Sequence, residues 1–480
     1  SNFFNKEFVH FSQYDNVRSI PSLVDGLKPS QRKVLYAIMN KRNLINDEIK
    51  VAQLAGYVSE KTAYHHGEAS LNSTIINMAQ DFVGSGNNIP LLFPSGQFGT
   101  RLQGGRDAAS ARYVFTRLNA LTRKIFPEAD DPILEYNEED GMQIEPKFFV
   151  PIIPMILVNG AEGGGTGWST SVPTFHPLDL IQYLKNKILG KRRGKSIHIW
   201  TRNFTGEFSY DPEKNRYSTF GRIEFQMPKK KTDKDYVISI TELPLGKWTE
   251  DYKAFLIGQT SSDDGMVKKF SEHHTDVTVR FDVVLRPEYF PNGLEDIKQG
   301  IDDKSLHKSL KLESSVSLSN MTMFDPSGHI AQYTSVHEII EQFYPTRVLF
   351  YQKRKQFLLD QYESELRLLS NKLKFLEHFT MNERTSPNPI SSFASKKRDE
   401  MVSYLRDELG LAPINDSFQY VLNLPLYNLT IENVEKLKRQ VGEKQRQFDE
   451  LSAKSEQQLW IDDLTALEET LVAQKENYCL

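Results

Sequence analysis

A single cysteine, Cys479, is all the thiol chemistry in 480 residues. A disulfide framework and a CxxC zinc site are thereby excluded, and a reducing compartment, cytosol or nucleus, fits. Long apolar runs are missing too. None approaches the roughly 20 residues of a membrane span, and no signal-peptide pattern opens the chain, so no membrane partner is expected. There is no surplus of positive charge: Lys and Arg number 59 against 63 Asp and Glu, a formal net charge of −4. Domains that bind nucleic acid are usually basic, so composition leaves that partner undecided. Walker loops, HExxH and Gly-x-Ser-x-Gly elbows are absent. The acidic pairs Asp130-Asp131, Asp263-Asp264 and Asp462-Asp463 lack the grouping of metal ligands; they are expected at the surface, and no metal site is expected.

What is present is ordinary for a soluble folded protein, 39% hydrophobic and 25% charged, in a chain long enough for two to four structural units. Acids crowd residues 128–145 and the C-terminal helices. Bases recur at Lys28, Arg32, Lys33, Lys61, Arg101, Arg106, Arg112, Arg117 and Arg123. Residues 50–82 read as helix, break, helix. Val51, Leu54, Ala55 and Val58 share one face, residues 59–62 form the break, and Leu71, Ile75, Met78, Ala79 and Phe82 repeat at helical spacing from about Gly67. That layout suits a helix-turn-helix DNA reader, and equally a plain helical hairpin.

From about 151 to 333 the pattern is mixed. A helix is predicted over 177–189, and alternating strands over 204–210, 217–226, 236–241 and 277–284. The lysine run 229–231 reads as a solvated turn. Past about 335 the chain turns to long helix: Leu359, Tyr362, Leu366, Leu369, Leu373 and Leu376 step by threes and fours, and Val434, Leu437, Val441, Phe448 and Leu451 form a matching seam. Pro387, Pro389, Pro413 and Pro425 interrupt helix between them. An antiparallel helix pair with a helical knob at its far end is the simplest geometry.

Chemistry concentrates in residues 94–116, PSGQFGTRLQGGRDAASARYVFT. Gly96, Gly99, Gly104 and Gly105 give a loop whose backbone could approach a phosphate. Arg101, Arg106 and Arg112 could neutralise one. Tyr113 follows Arg112 directly. A phenol with a pKa near 10 is a poor nucleophile, but an adjacent guanidinium favours phenolate and stabilises a phosphoryl transition state. Spacing alone leaves packing as the alternative role for this tyrosine.

Tyr64-His65-His66-Gly67-Glu68, the loop into Ala111-Arg112-Tyr113, and residues 151–170 (PIIPMILVNGAEGGGTGWST) together resemble the breakage-reunion region of type IIA DNA topoisomerases. Residues 19–36, 240–244 and 317–328 add to the match, which favours the eukaryotic branch over bacterial gyrase and topoisomerase IV. The resemblance implies a mixed α+β, multi-domain chain. A winged-helix domain over about 1–150 would carry the tyrosine, and an α/β tower would span 151–333. A coiled coil would span 334–480, with a dimer-closing knob at about 381–430.

Tyr113 matches the nucleophile that takes the 5′-phosphate of a cut strand, and Arg112 the clamp on that phosphate. Arg32 and His66, with His65 behind, match groups that stabilise the transition state. Lys28, Lys33, Arg101 and Arg106 match contacts to the DNA backbone. Val421, Leu422, Leu424, Leu426 and Tyr427 are the apolar candidates for the dimer gate. The family's wedge isoleucine is replaced by Gly164, so any DNA bend must come from another residue or from the backbone.

The resemblance further implies double-stranded DNA and a second copy of the chain as partners, and residence in the nucleus or at a site of viral replication. Mg²⁺ and ATP would both bind in domains outside this segment. The start, Ser1-Asn2 ahead of an amphipathic run, reads as a trimmed boundary. These residues alone are expected to bind DNA and dimerise yet cleave it poorly. The rivals are a DNA-binding scaffold with an inert tyrosine and a coiled-coil architectural protein.

Overall fold

The computed structural model describes residues 7–41, 46–191, 196–226, 235–381 and 389–474. Cys479, Pro387 and the lysine run lie outside them. The described chain divides into two units: residues 1–347 with 460–480, and residues 348–459.

The first unit opens with helix α1 (Phe8–Ser19) and α2 (Pro29–Asn40), then strand β1 (Ile49–Lys50), α3 (Val51–Thr62) and α4 (Glu68–Ala79). The predicted apolar faces are the buried ones: Val51, Leu54, Ala55, Val58, Leu71, Ile75 and Ala79 are sealed from solvent. Burying each Val, Leu or Ile among them is worth about 1.5–3 kcal/mol, far more than its helix propensity. The break lies later than expected. α3 continues through Thr62 and ends at Ala63, whose φ of 49° is left-handed, so residues 63–67 make the connection. α4 stops at Ala79, which leaves Phe82 outside it with its ring 5.8 Å from Trp248.

β2 (Leu92–Ser95) and β3 (Phe115–Leu118) complete an antiparallel three-stranded sheet in the order β1-β3-β2. Lys50 sits opposite Phe115, and Phe93 opposite Arg117. Helices α2, α3 and α4 pack together and against this small sheet.

Further along, helix Pro177–Ile188 forms as predicted. The strand expected over 217–226 is two strands, Arg216–Phe220 and Arg222–Gln226, in different sheets. The chain crosses between them at Gly221, where a Cβ would lie 2.5 Å from the Glu242 carbonyl. The strand expected from 277 starts at Phe281, because a turn closed by Thr275 N–H to Thr278 O occupies the preceding residues. A four-stranded antiparallel sheet and helix Thr249–Ser261 enclose a core including Ile238, Ile240, Leu256, Phe281 and Val283. Helix Glu456–Ala473 belongs to this first unit from Trp460 onward, and the Trp460 indole N–H donates to the Ile152 carbonyl.

The second unit holds most of helix Val336–Met381, together with Ile431–Ala453. The two run antiparallel: Lys355 reaches the Lys454 carbonyl, Glu365 pairs with Lys444, and Glu377 with Lys438. Every predicted seam residue is at least partly shielded. Phe375 and Phe379, on the first of these helices, form a separate core with Leu405, Leu411, Phe418 and Val421 from the segment that follows it. Val421 is sealed inside that core, so it is unavailable as a gate contact. Leu422 and Leu424 are half-buried on the same core and Tyr427 is 76% exposed. The Leu426 side chain lies outside the described ones. Among the described residues no helix is long and apolar enough to cross a membrane.

Candidate DNA-cleavage site

Ala111 and Val114 are buried, and their carbonyls accept from the Ala52 and Val51 amides at 3.1 and 3.0 Å. These donors open α3, where unpaired N–H groups are available. Between the two anchors the chain turns, Tyr113 N–H donating to the Ser110 carbonyl at 2.9 Å. The two intervening side chains are thereby turned outward: Arg112 is exposed and Tyr113 is 75% exposed. Among the described residues Arg112 has no ion-pair partner. β3 continues this surface with Phe115 and Arg117, and β2 adds Phe93, whose ring lies 4.1 Å from the Arg117 guanidinium.

A second group occupies the connection between α3 and α4. His66 packs edge-on to the Tyr64 ring at 5.2 Å and bonds the Tyr14 hydroxyl through Nε2. Burial first, then the charges of Arg18, His65 and Lys33, hold its pKa below the ordinary histidine value, so the imidazole is neutral at pH 7. His65 is exposed and bonds Glu139 at 2.8 Å.

The remaining cations are mostly committed internally. Arg32 is buried on α2 and grips Asp25 with two N–H groups at 2.7 and 3.0 Å, adding a bond to the Leu27 carbonyl. Lys33 bonds Glu145 and the Thr62 carbonyl. Lys28 donates to the Glu162 carbonyl at 2.6 Å, and burial lowers its pKa against the opposing charge of Glu162.

Arg101 is buried and paired with the buried Glu242, so in this structure its guanidinium faces the protein and not solvent, unlike the expected backbone contact. Arg106 remains exposed, with a loose pairing to Asp251 at 3.6 Å. No hydrogen bond or ion pair among the described residues joins Arg112 or Tyr113 to Arg32 or His66.

The glycine-rich loop is also used differently from the expectation. A Cβ at Gly104 would enter the Trp248 indole at 2.3 Å, while Thr249 and Glu250 amides donate to the Arg101 and Leu102 carbonyls. Glycine at 104 therefore serves close internal packing instead of phosphate approach. Asp130 departs as well: it is buried against Arg347 at 2.8 Å, not a surface acid, because a fully enclosed guanidinium needs a counter-charge.

Gly164 ends strand Ala161–Gly164, paired with Ser169 across a hairpin. It is exposed, and a Cβ there meets nothing within 4 Å, whereas one at Gly163 or Gly165 would strike α1. Gly164→Ile is expected to leave stability within about 0.5 kcal/mol of wild type, since the site is open and strand-like; urea unfolding midpoints check this.

Among the described residues no cluster of three or more His, Cys, Asp or Glu side chains could hold a metal ion.

The chain belongs to the DNA gyrase/topoisomerase IV A-subunit family, whose pattern matches residues 18–465. Among its relatives, DNA topoisomerase 2, mitochondrial, from Dictyostelium discoideum is 42% identical over 474 residues, 98% of this chain and 35% of that protein. DNA topoisomerase 2 from Saccharomyces cerevisiae is 40% identical over 512 residues, 98% of this chain and 34% of that protein. The crystal structure of the Plasmodium falciparum topoisomerase II DNA-binding, cleavage and re-ligation domain superposes with a TM-score of 0.83 at 37% identity, covering 99% of this chain and 64% of that one. The chain thus spans about a third of the length of these curated relatives.

Sequence reasoning missed Tyr14, whose partner His66 is 52 residues away, and the Phe93–Arg117 face. For the second a signal existed: alternation in β2 and β3 puts these residues on one side.

Proposed function

We propose that this chain is the DNA gate of a eukaryote-type type IIA topoisomerase, acting as a homodimer on double-stranded DNA. The Tyr113 oxygen attacks a backbone phosphorus, the bond to the 3′-oxygen breaks, and a 5′-phosphotyrosine forms. The phenol loses its proton and the departing 3′-oxygen gains one. One phosphodiester replaces another, so rejoining needs no outside energy at this step. Arg112 neutralises the attacked phosphate, while Arg32, His66 and, behind them, His65 stabilise charge in the transition state. Lys28, Lys33, Arg101 and Arg106 are assigned to the DNA-binding surface; the internal pairing of the first three makes Arg106 the best placed. Two protomers cut opposite strands, and a second duplex passes. ATP and Mg²⁺ act from regions outside these residues.

Residues 1–150 form the winged-helix domain on this reading, 151–333 the tower and 334–480 the coiled coil. Leu422, Leu424, Leu426 and Tyr427 in the knob at 381–430 supply the dimer gate. The compartment is the nucleus; the mitochondrial name of the Dictyostelium relative favours the mitochondrion as a second location, and fluorescent tagging separates them.

The observation that carries the reading is the Arg112–Tyr113 pair, turned outward on a doubly anchored turn in a chain of this family. The test uses the full-length protein with supercoiled plasmid and Mg²⁺, stopped with detergent. Protein linked covalently to 5′ DNA ends, with the nucleotide mapped to Tyr113 by mass spectrometry, is expected. Tight DNA binding without any adduct would reduce the chain to a scaffold.

Gly164→Ile adds a second expectation. A side chain restored at the open hairpin position can part a base step, so fluorescence energy transfer across a bound duplex should report a sharper bend than wild type. An unchanged bend would show that position 164 does not touch the base stack.

A further inference from the structure

The roles assigned above leave Tyr14 unused, yet its hydroxyl lies 2.5 Å from Nε2 of His66. The two rings are 5.9 Å apart, and Arg18, one turn further along α1, lies 5.7 Å from the Tyr14 ring. Tyr14 is 49% exposed, so core packing does not account for its placement. The groups around His66 are Tyr14 and Arg18 on α1, Lys33 on α2, and Tyr64 and His65 in its own connection, with Glu139 holding His65.

An imidazole has two nitrogens, and here one is taken. Nδ1 has no partner among the described residues, so it alone is left for DNA. A phosphate oxygen only accepts, which requires the proton on Nδ1. Nε2 must then be the bare lone pair, accepting from the Tyr14 O–H. The opposite tautomer would donate to Tyr14 and offer the phosphate a second acceptor. A single phenol hydroxyl therefore decides whether His66 can serve the role assigned to it.

We propose that Tyr14 is a positioning residue for His66, fixing the ring and selecting the Nδ1–H tautomer that donates to the DNA phosphate during cleavage and rejoining. The proposal rests on the transition-state role given to His66 above.

The experiment compares wild type, Tyr14→Phe, His66→Ala and the double variant, all full length, for single-turnover cleavage at saturating plasmid. Tyr14→Phe should cut about threefold to tenfold more slowly, the effect of one hydrogen bond, with DNA affinity unchanged. In the His66→Ala background the same change should have no further effect, because Tyr14 acts only through His66. The acid limb of the rate–pH profile should also move in Tyr14→Phe. Equal slowing in both backgrounds, a rate equal to wild type, or an unmoved profile would each overturn the proposal. Wild type failing to form adducts would sink the reading of the site itself; adducts with an unaffected Tyr14→Phe would sink only this inference.

Discussion

Tyr113→Phe is expected to abolish covalent attachment to DNA while leaving DNA affinity within about twofold and stability within about 0.5 kcal/mol. The substitution removes one oxygen atom. The ring is 75% exposed and makes no side-chain hydrogen bond among the described residues, so neither packing nor a hydrogen-bond network is lost. What disappears is the oxygen proposed to attack the phosphate. Deleting a covalent nucleophile costs on the order of 10⁶ in rate where it has been measured in a hydrolase, which places adducts below detection. Arg112, the proposed phosphate clamp, is untouched, so binding is expected to survive. The measurement counts protein-linked DNA ends after a detergent stop, alongside filter binding of the same plasmid. Adducts that persist would move the nucleophile to another tyrosine, and Tyr14 would be examined first because it is exposed and beside His66. Loss of binding together with adducts would make the phenol a recognition group.

How much of this was legible beforehand depended on the range of the interaction. The faces of α3 and α4 follow from spacing within one helix, so Val51, Leu54, Leu71 and Ile75 could be placed from sequence. Arg112 and Tyr113 were different: spacing left packing open for the tyrosine, and their outward turn is set by hydrogen bonds from the Val51 and Ala52 amides of α3. Fates set by distant partners could not be read. Whether Lys33 or Arg101 faces DNA or the interior depends on Glu145 and Glu242, more than a hundred residues away. Asp130 looked like surface because its partner, Arg347, is 217 residues off. Charge in a sequence has sign but no depth. The glycines of the 94–116 loop were ambiguous for a related reason, since missing side chains admit a phosphate or an indole equally, and Trp248 decides at position 104. The resemblance supplied roles, and the structure then showed which of those side chains have heads free to perform them.

Arg101→Ala is the substitution on which sequence expectation and structure differ most sharply. As a backbone contact, its loss would flatten the slope of log affinity against log salt by about 1 and leave folding untouched. As a buried partner of Glu242 it should do the reverse. Removing one member of a buried ion pair typically costs about 3–5 kcal/mol, because the remaining charge is stranded. Here the lower end is expected, since Glu242 keeps bonds from the Leu243 amide at 2.9 Å and from the Thr205 amide and hydroxyl at 3.2 and 3.1 Å. A fall of about 3 kcal/mol in urea unfolding with an unchanged salt slope is therefore the expected pair of results. Arg106→Ala serves as the inverse control. Its head is exposed and its 3.6 Å pairing with Asp251 joins two solvent-facing side chains, worth at most about 1 kcal/mol, while its salt slope should flatten. A flattened slope for Arg101→Ala at full stability would mean that the Glu242 pair opens when DNA binds, and that the loop carrying Tyr113 rearranges with it.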